Sequence, residues 1–275
     1  MPVMENGDFK IGIATFICYH QPLLPILPLF SKTGFKNLEL WGVSFYGSPL
    51  HFPYKDKNYL KKFAQALKEF SLTPYSLHAS FHHEWSISSK DEEKRKKAVK
   101  EIEESIEVAQ FLNIQLIVVH PGSSTGESSW ESFWRSIEEL WFFSSSLGIQ
   151  IALENMIPGI FGYDLESISH MKEKLPPSIG FCLDTGHAFI SGALSQMVEV
   201  MDGKLFHLHL QDTCNGEDAH LLPGEGCINW EKFRKDMEKI GYQGVWMLEV
   251  RERKDRGLEE LLLSAREAIE KLRTV

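Results

Sequence analysis

Long apolar runs are missing from this 275-residue chain: no stretch approaches the ~20 uninterrupted apolar residues that a bilayer-crossing helix requires. No membrane partner is expected. The start MPVMENGDFK carries no apolar signal segment, and the four cysteines, Cys18, Cys182, Cys214 and Cys227, are scattered without a CxxC pair. Both absences point to a reducing, cytoplasmic setting. Basic charge is scarce as well: 29 Lys and Arg stand against 38 Asp and Glu, and a formal net charge of -9 repels a phosphodiester backbone unless cations gather on one face. Nucleic acid is thereby disfavoured as a partner. The densest basic run, Lys94 to Lys100, follows Ser89, Asp91, Glu92 and Glu93, which read as the capped acidic start of a helix with solvated later turns. No GxGxxG turn follows the first apolar run, which argues against an open dinucleotide-binding sheet.

What is present is a core-forming composition, 43% hydrophobic and 24% charged, with strand and helix patterns alternating from end to end. Strands are expected at Lys10 to Thr15, Asn37 to Trp41, Thr73 to His78, Gln115 to His120, Ile149 to Glu154, Ile179 to Asp184, Leu205 to Leu210 and Val245 to Val250. Between them lie helical patterns such as Tyr59 to Phe70, Glu92 to Leu112, Trp130 to Leu147, Trp230 to Ile240 and Leu258 to Leu272. Eight such repeats imply parallel pairing with right-handed crossovers, closed into one (β/α)8 barrel, the α/β TIM barrel, over residues 1–275. Two segments read as irregular and lid-like: Tyr19 to Pro28, with three prolines, and Val43 to Tyr54, which interleaves Phe45, Tyr46, His51, Phe52 and Tyr54 with Gly47 and prolines.

Six of the expected strands end in an imidazole or a carboxylate: SLHA at His78, VVHPG at His120, ALEN at Glu154, CLDTGH at Asp184 and His187, LHLQD at His209, and MLEV at Glu249. In a parallel barrel all strand C-termini meet at one mouth, so these groups converge. Burying them costs several kcal/mol each, and a shared divalent cation offsets that cost. Glu154, Asp184, His209 and Glu249 form a mostly hard donor set suited to Mn2+ or Mg2+ and tolerant of Co2+ or Zn2+. After the seventh strand come Asp218 and His220, then PGEG, whose glycines permit close backbone approach to a ligand. Trp41 is a candidate wall for a sugar ring, Arg251 and Arg253 are candidates for a substrate phosphate, and His82, His83 and Glu84 sit in a loop facing the mouth.

The LDTGH, HLHLQD, DAHLLPGEG and MLE segments resemble those of the xylose isomerase-like barrel superfamily over nearly the whole chain. Its sugar isomerase and epimerase branch implies one divalent metal on Glu154, Asp184, His209 and Glu249, the two glutamates as acid and base, and His187 toward substrate. Its endonuclease IV branch implies a three-zinc cluster on His78, His120, Glu154, Asp184, His187, His209, Asp218, His220 and Glu249, and so more than one ion. The chain departs from the ketose 3-epimerases, which place an arginine where it has Glu217, Asp218, Ala219 and His220, and from the repair enzyme, whose arginine between aspartate and histidine is Ala219 here. The sugar branch implies a homo-oligomer, dimer or tetramer, and the repair branch a monomer.

A duplex-binding enzyme needs cations around its mouth, and the loop after the second strand offers only Lys55 and Lys57 while the loop from Ser123 to Trp130 offers none. The expected activity is therefore a metal-dependent sugar or polyol isomerase or epimerase. A zinc phosphodiesterase on abasic DNA and a keto-cyclitol dehydratase are the alternatives.

Overall fold

The computed structural model describes residues 9–43 and 51–274. Eight strands form one parallel sheet: β1 Ile11–Ala14, β2 Asn37–Trp41, β3 Thr73–His78, β4 Leu116–Val119, β5 Gln150–Glu154, β6 Ile179–Asp184, β7 Leu205–His209 and β8 Trp246–Leu248. Their order, β7-β6-β5-β4-β3-β2-β1-β8, is sequential with β8 returning beside β1. A parallel bridge between Leu210 and Leu248 brings the two ends together, with Leu210 N donating to Met247 O and Glu249 N to Leu210 O. This is the TIM barrel that the alternation predicts, and every strand lies within its expected span.

The helices are α1 Leu23–Lys32, α2 Lys57–Glu69, α3 Glu92–Phe111, α4 Trp130–Ser146, α5 Leu165–Lys174, α6 Thr185–Ile190, α7 Leu194–Met201, α8 Trp230–Ile240 and α9 Leu258–Lys271. Each strand alternates its side chains between the helix layer and the barrel interior. Leu38, Leu40, Ile151, Leu153, Phe181 and Leu183 point outward into the core shared with the helices. Leu116, Val118, Ala152 and Cys182 form a separate cluster inside the barrel, below the mouth. No helix among the described residues is long and apolar enough to cross a membrane.

Three expectations need correction. Most of Tyr19 to Pro28 is not a loop: α1 starts at Leu23 and buries Leu23, Leu27 and Phe30. Pro25 is tolerated because first-turn N–H groups have no partner within a helix, while Pro28 lies inside and forgoes one backbone bond. Cys214 and Cys227 form a disulfide, leaving Cys18 and Cys182 as buried thiols. Finally, the basic run is not wholly solvated. Arg95 is 1% exposed, donating from Nε and Nη2 to Glu92, from Nη2 to Glu139 and from Nη1 to Ser136. Ser136 in turn donates to Ile87 O, so this guanidinium ties α3, α4 and the β3–α3 loop together.

Arg95→Ala is expected to destabilise the fold by about 2–3 kcal/mol, below the cost of breaking a wholly buried pair because both glutamates keep contact with water. Urea unfolding measures it. Of the second irregular segment, Phe45, Tyr46 and Gly47 lie outside the described residues, whereas His51, Phe52 and Tyr54 are buried against the barrel.

Candidate metal centre

The period of two along a strand explains both the site and the layer beneath it. His78 shares its face with Ser76, His209 with His207, Trp41 with Glu39, and Glu154 with Ala152. The upper layer holds the expected ligand-type residues. The lower layer holds a buried polar trio, Glu39, Ser76 and His207, that sequence reasoning missed.

Glu154, Asp184, His209 and Glu249 present ligand atoms within 4.8 Å of one another, all buried. His209 Nδ1 lies 3.3 Å from Glu249 Oε2 and 3.5 Å from Glu154 Oε2. A second grouping shares the same Glu154 oxygen, Oε2, which is 3.3 Å from His78 Nε2 and 3.1 Å from His120 Nε2. Asp218 stands between two further imidazoles, 3.5 Å from His187 Nε2 and 3.3 Å from His220 Nε2. The structure thus gathers all the expected ligand-type residues at one mouth.

The imidazoles are held in position by their remaining nitrogens. Nδ1 of His78 bonds Ala79 O, Nδ1 of His187 bonds Asn155 O, and Nδ1 of His220 bonds Glu249 O. In each case Nε2 is left facing the other ligand-type groups. His209 is flanked from the opposite side: its Nε2 lies 2.8 Å from Glu39 Oε1 while its Nδ1 faces Glu249 and Glu154, and neither buried nitrogen completes a hydrogen bond. A carboxylate behind a histidine whose inner nitrogen is bare is the arrangement that fixes and strengthens a metal-binding imidazole. Glu39 also accepts from Ser76 Oγ, at 2.8 Å, and contacts His207 Nε2 at 2.9 Å. Its signal in the sequence is a lone carboxylate inside the strand NLELW.

Electrostatics support the same fit. Burial pushes the Glu249 carboxyl up to about 7, with Glu154 adding repulsion. Burial likewise raises Asp184. For Glu154, burial works upward, yet His209 and His120 outweigh it and hold the group well below the usual carboxylate range. Burial would lower His209 and His187, but Cys182 with Glu249, Glu39 and Glu154 raises His209, and Asp184, Asp218 and Glu154 raise His187, both well above an ordinary imidazole. The cluster is rich in negative charge, and its own histidines supply the compensation that a divalent ion would provide.

Local sequence explains the placement. Asp184 ends β6 and caps α6, accepting from His187 N at 2.7 Å, which is why LDTGH sets both groups on one mouth. Asn155 brackets the same aspartate, donating to Asp184 O and accepting from Asp184 N. Gln211 joins the strands to the loop: its amide donates to both Asp184 oxygens and to Asp218, and its carbonyl accepts from His220 N. A Cβ on Gly186 would lie 2.4 Å from Gln211 Cδ. Gly186→Ala is therefore expected to displace that amide, costing about 1–3 kcal/mol of stability and weakening metal uptake, as calorimetry would record.

The PGEG glycines pack against the protein's own Asp212. Asp212, fully buried, accepts from the backbone of Thr213, Gly224 and Ile228 and from Trp230 Nε1, and a Cβ on Gly226 would meet its Oδ1 at 2.4 Å. Asp212 and the Cys214–Cys227 disulfide thus shape the loop that carries Asp218 and His220.

Above the cluster opens a cavity of about 460 Å³ walled by Phe16, Trp41, Phe81, Met156, Ile157 and Ile160. Glu154, His187, Asp218, His220 and Glu249 line its floor, and His82, His83 and Arg251 also border it. Trp41 is buried and packs on Phe16 and His78. Arg253, in contrast, pairs with Asp255 and Glu225, Lys55 pairs with Glu104, and Glu84 is exposed.

The family model described as xylose isomerase-like TIM barrel matches residues 28–275, and the chain belongs to that family. It is 27% identical over 254 residues to the uncharacterized protein MJ1311 of Methanocaldococcus jannaschii, covering 88% of this chain and 84% of that one. Fructoselysine 3-epimerase of Shigella flexneri is 24% identical over 275 residues, covering 94% and 96%. A probable endonuclease 4 of Sulfurihydrogenibium sp. is 26% identical over 196 residues, covering 63% and 70%. Among solved structures, the IOLI protein with a bound zinc atom superposes with a TM-score of 0.82 at 20% identity, covering 97% and 98%. Relatives thus include both a fructoselysine 3-epimerase and a probable endonuclease 4.

Proposed function

We propose that the protein is a divalent-metal-dependent isomerase or epimerase of a small sugar or polyol-like substrate. One observation carries the reading: Glu154, Asp184, His209 and Glu249 converge within 4.8 Å, and Glu154 and Glu249 line a largely apolar cavity of sugar-accommodating size. These four residues would hold the ion. A divalent cation there supplies Lewis acidity toward a substrate carbonyl and its neighbouring hydroxyl. Mn2+ and Mg2+ suit the three carboxylates, and Co2+ or Zn2+ would be accepted.

Glu154 ends β5 and Glu249 directly follows β8, strands that enter the mouth from separate directions. They are the acid and base: one takes the proton from the carbon between carbonyl and hydroxyl, and the other returns a proton to the opposite face or the adjacent carbon. Trp41 presents an aromatic wall to the sugar ring, and the apolar walls exclude water while that proton is in transit. His187 and Arg251 supply donors to substrate oxygens. Similarity to a sugar 3-epimerase along almost the whole chain supports this class of reaction.

The test is solvent deuterium incorporation into a panel of ketoses and aldoses by metal-loaded protein. Exchange at the carbon beside the carbonyl is expected. Turnover of a sugar without exchange would overturn proton transfer.

The second reading, a zinc phosphodiesterase on abasic DNA, is favoured by the additional His78–His120 and His187–Asp218–His220 groupings. Against it, Arg251 is the one Lys or Arg among the residues lining the described cavity. Plasma spectrometry with a nicking assay on abasic duplex separates the readings: robust nicking with three zinc ions would replace the isomerase proposal.

A further inference from the structure

Beside the metal-lined cavity lies a second one of about 350 Å³, formed where the β4–α4 loop faces the β5–α5 loop. The two cavities meet at Ser123, Ser124 and Ile160, which line both. From this we propose that the second cavity is a subsite for a neutral glycosyl group, so that the preferred substrate is a ketose carrying a second sugar unit. The ketose part of the proposal rests on the isomerase reading, whereas the glycosyl subsite stands on its own geometry.

The wall chemistry is that of carbohydrate recognition. Ser128 and Tyr163 offer hydroxyls, Trp130 and Phe161 contribute aromatic rings, and Asp164 brings the only formal charge among the residues lining this cavity. Both Asp164 oxygens accept from Ser167, one from its N–H and one from its hydroxyl, and each has a further lone pair for a sugar hydroxyl. No Lys, Arg or His lines the cavity, so a phosphate there would face a carboxylate with no compensating cation.

An independent observation points to a ligand. Ser123 is 8% exposed, and its hydroxyl is a buried atom with no hydrogen-bond partner, placed in the wall common to both cavities. Buried hydroxyls are normally satisfied, and one left bare at a junction is satisfied when a bridging ligand is present. Gly126 leaves room for it, since a Cβ there would come within 2.7 Å of Ser123 Oγ.

The experiment compares D-fructose, fructose 6-phosphate and isomaltulose, a fructose bearing a glucosyl unit. Solvent exchange is measured with metal-loaded wild type, and binding is measured by calorimetry with the Glu154→Gln protein. The probes on the subsite are Asp164→Asn, which retains a helix-capping side chain, and Tyr163→Ala. Isomaltulose is expected to exceed fructose by about tenfold in both kcat/KM and affinity, the worth of one or two added hydrogen bonds. Fructose 6-phosphate should show no such gain. Each variant should erase the isomaltulose advantage and leave the fructose rate within about twofold.

Equal handling of fructose and isomaltulose, or an advantage that survives both variants, would overturn the subsite. If no sugar exchanges protons yet isomaltulose binds more tightly through Asp164, the subsite stands and the isomerase reading falls. If isomaltulose neither exchanges nor binds, the subsite falls.

Discussion

Glu154→Gln and Glu249→Gln are each expected to slow substrate-dependent proton exchange by ~10²–10⁴, the usual worth of a positioned acid or base. Glutamine keeps the shape and one carbonyl ligand oxygen but cannot accept the proton. The double variant should be scarcely slower than the slower single one, because the two groups act on one transfer in sequence. Deuterium exchange followed by NMR in each variant, with metal content measured on the same samples, checks this. Full exchange in a metal-loaded Glu→Gln variant would remove that glutamate from the chemistry.

Glu39→Gln is expected to weaken metal affinity by about 10–100-fold, although Glu39 is not among the four proposed ligands. The cause is its contact with His209: an anionic oxygen 2.8 Å from Nε2 fixes the ring and raises the basicity of the bare Nδ1. An amide in the same place retains the size and loses the charge. Calorimetric titration of metal-free protein with Mn2+ measures the change, and Ser76→Ala, which removes only a donor to Glu39, should weaken affinity far less. Equal affinity in Glu39→Gln and wild type would show that the layer beneath the ligands is merely structural.

The barrel was legible in the sequence because strand–helix alternation and strand-terminal polar residues obey fixed periods. Asp184 and His187 could be read together from LDTGH, since a strand end that also caps a helix sets both side chains at one mouth. Glu39 and His207 were not found, although each lies two residues before a recognised position. They look unremarkable in sequence because their role depends on the inward face of a closed barrel, which only the assembled fold defines. Gln211 and Asp212 were hidden for a related reason: their partners are spread along the loop between β7 and α8 and at the end of β6, an arrangement no local spacing announces. The helix over Leu23–Lys32 was obscured by prolines that the first turn partly accommodates. The disulfide was missed because the two cysteines stand 13 positions apart and only the Asp212-anchored loop folds them together.

The most direct measurement is Mn2+ binding to chelator-stripped protein, for wild type beside Asp184→Asn and His209→Ala. Wild type is expected to take up the ion stoichiometrically at micromolar protein, and each variant to lose at least about two orders of magnitude in affinity. Absence of uptake by wild type, or uptake unchanged in both variants, would contradict a shared cation at the barrel mouth.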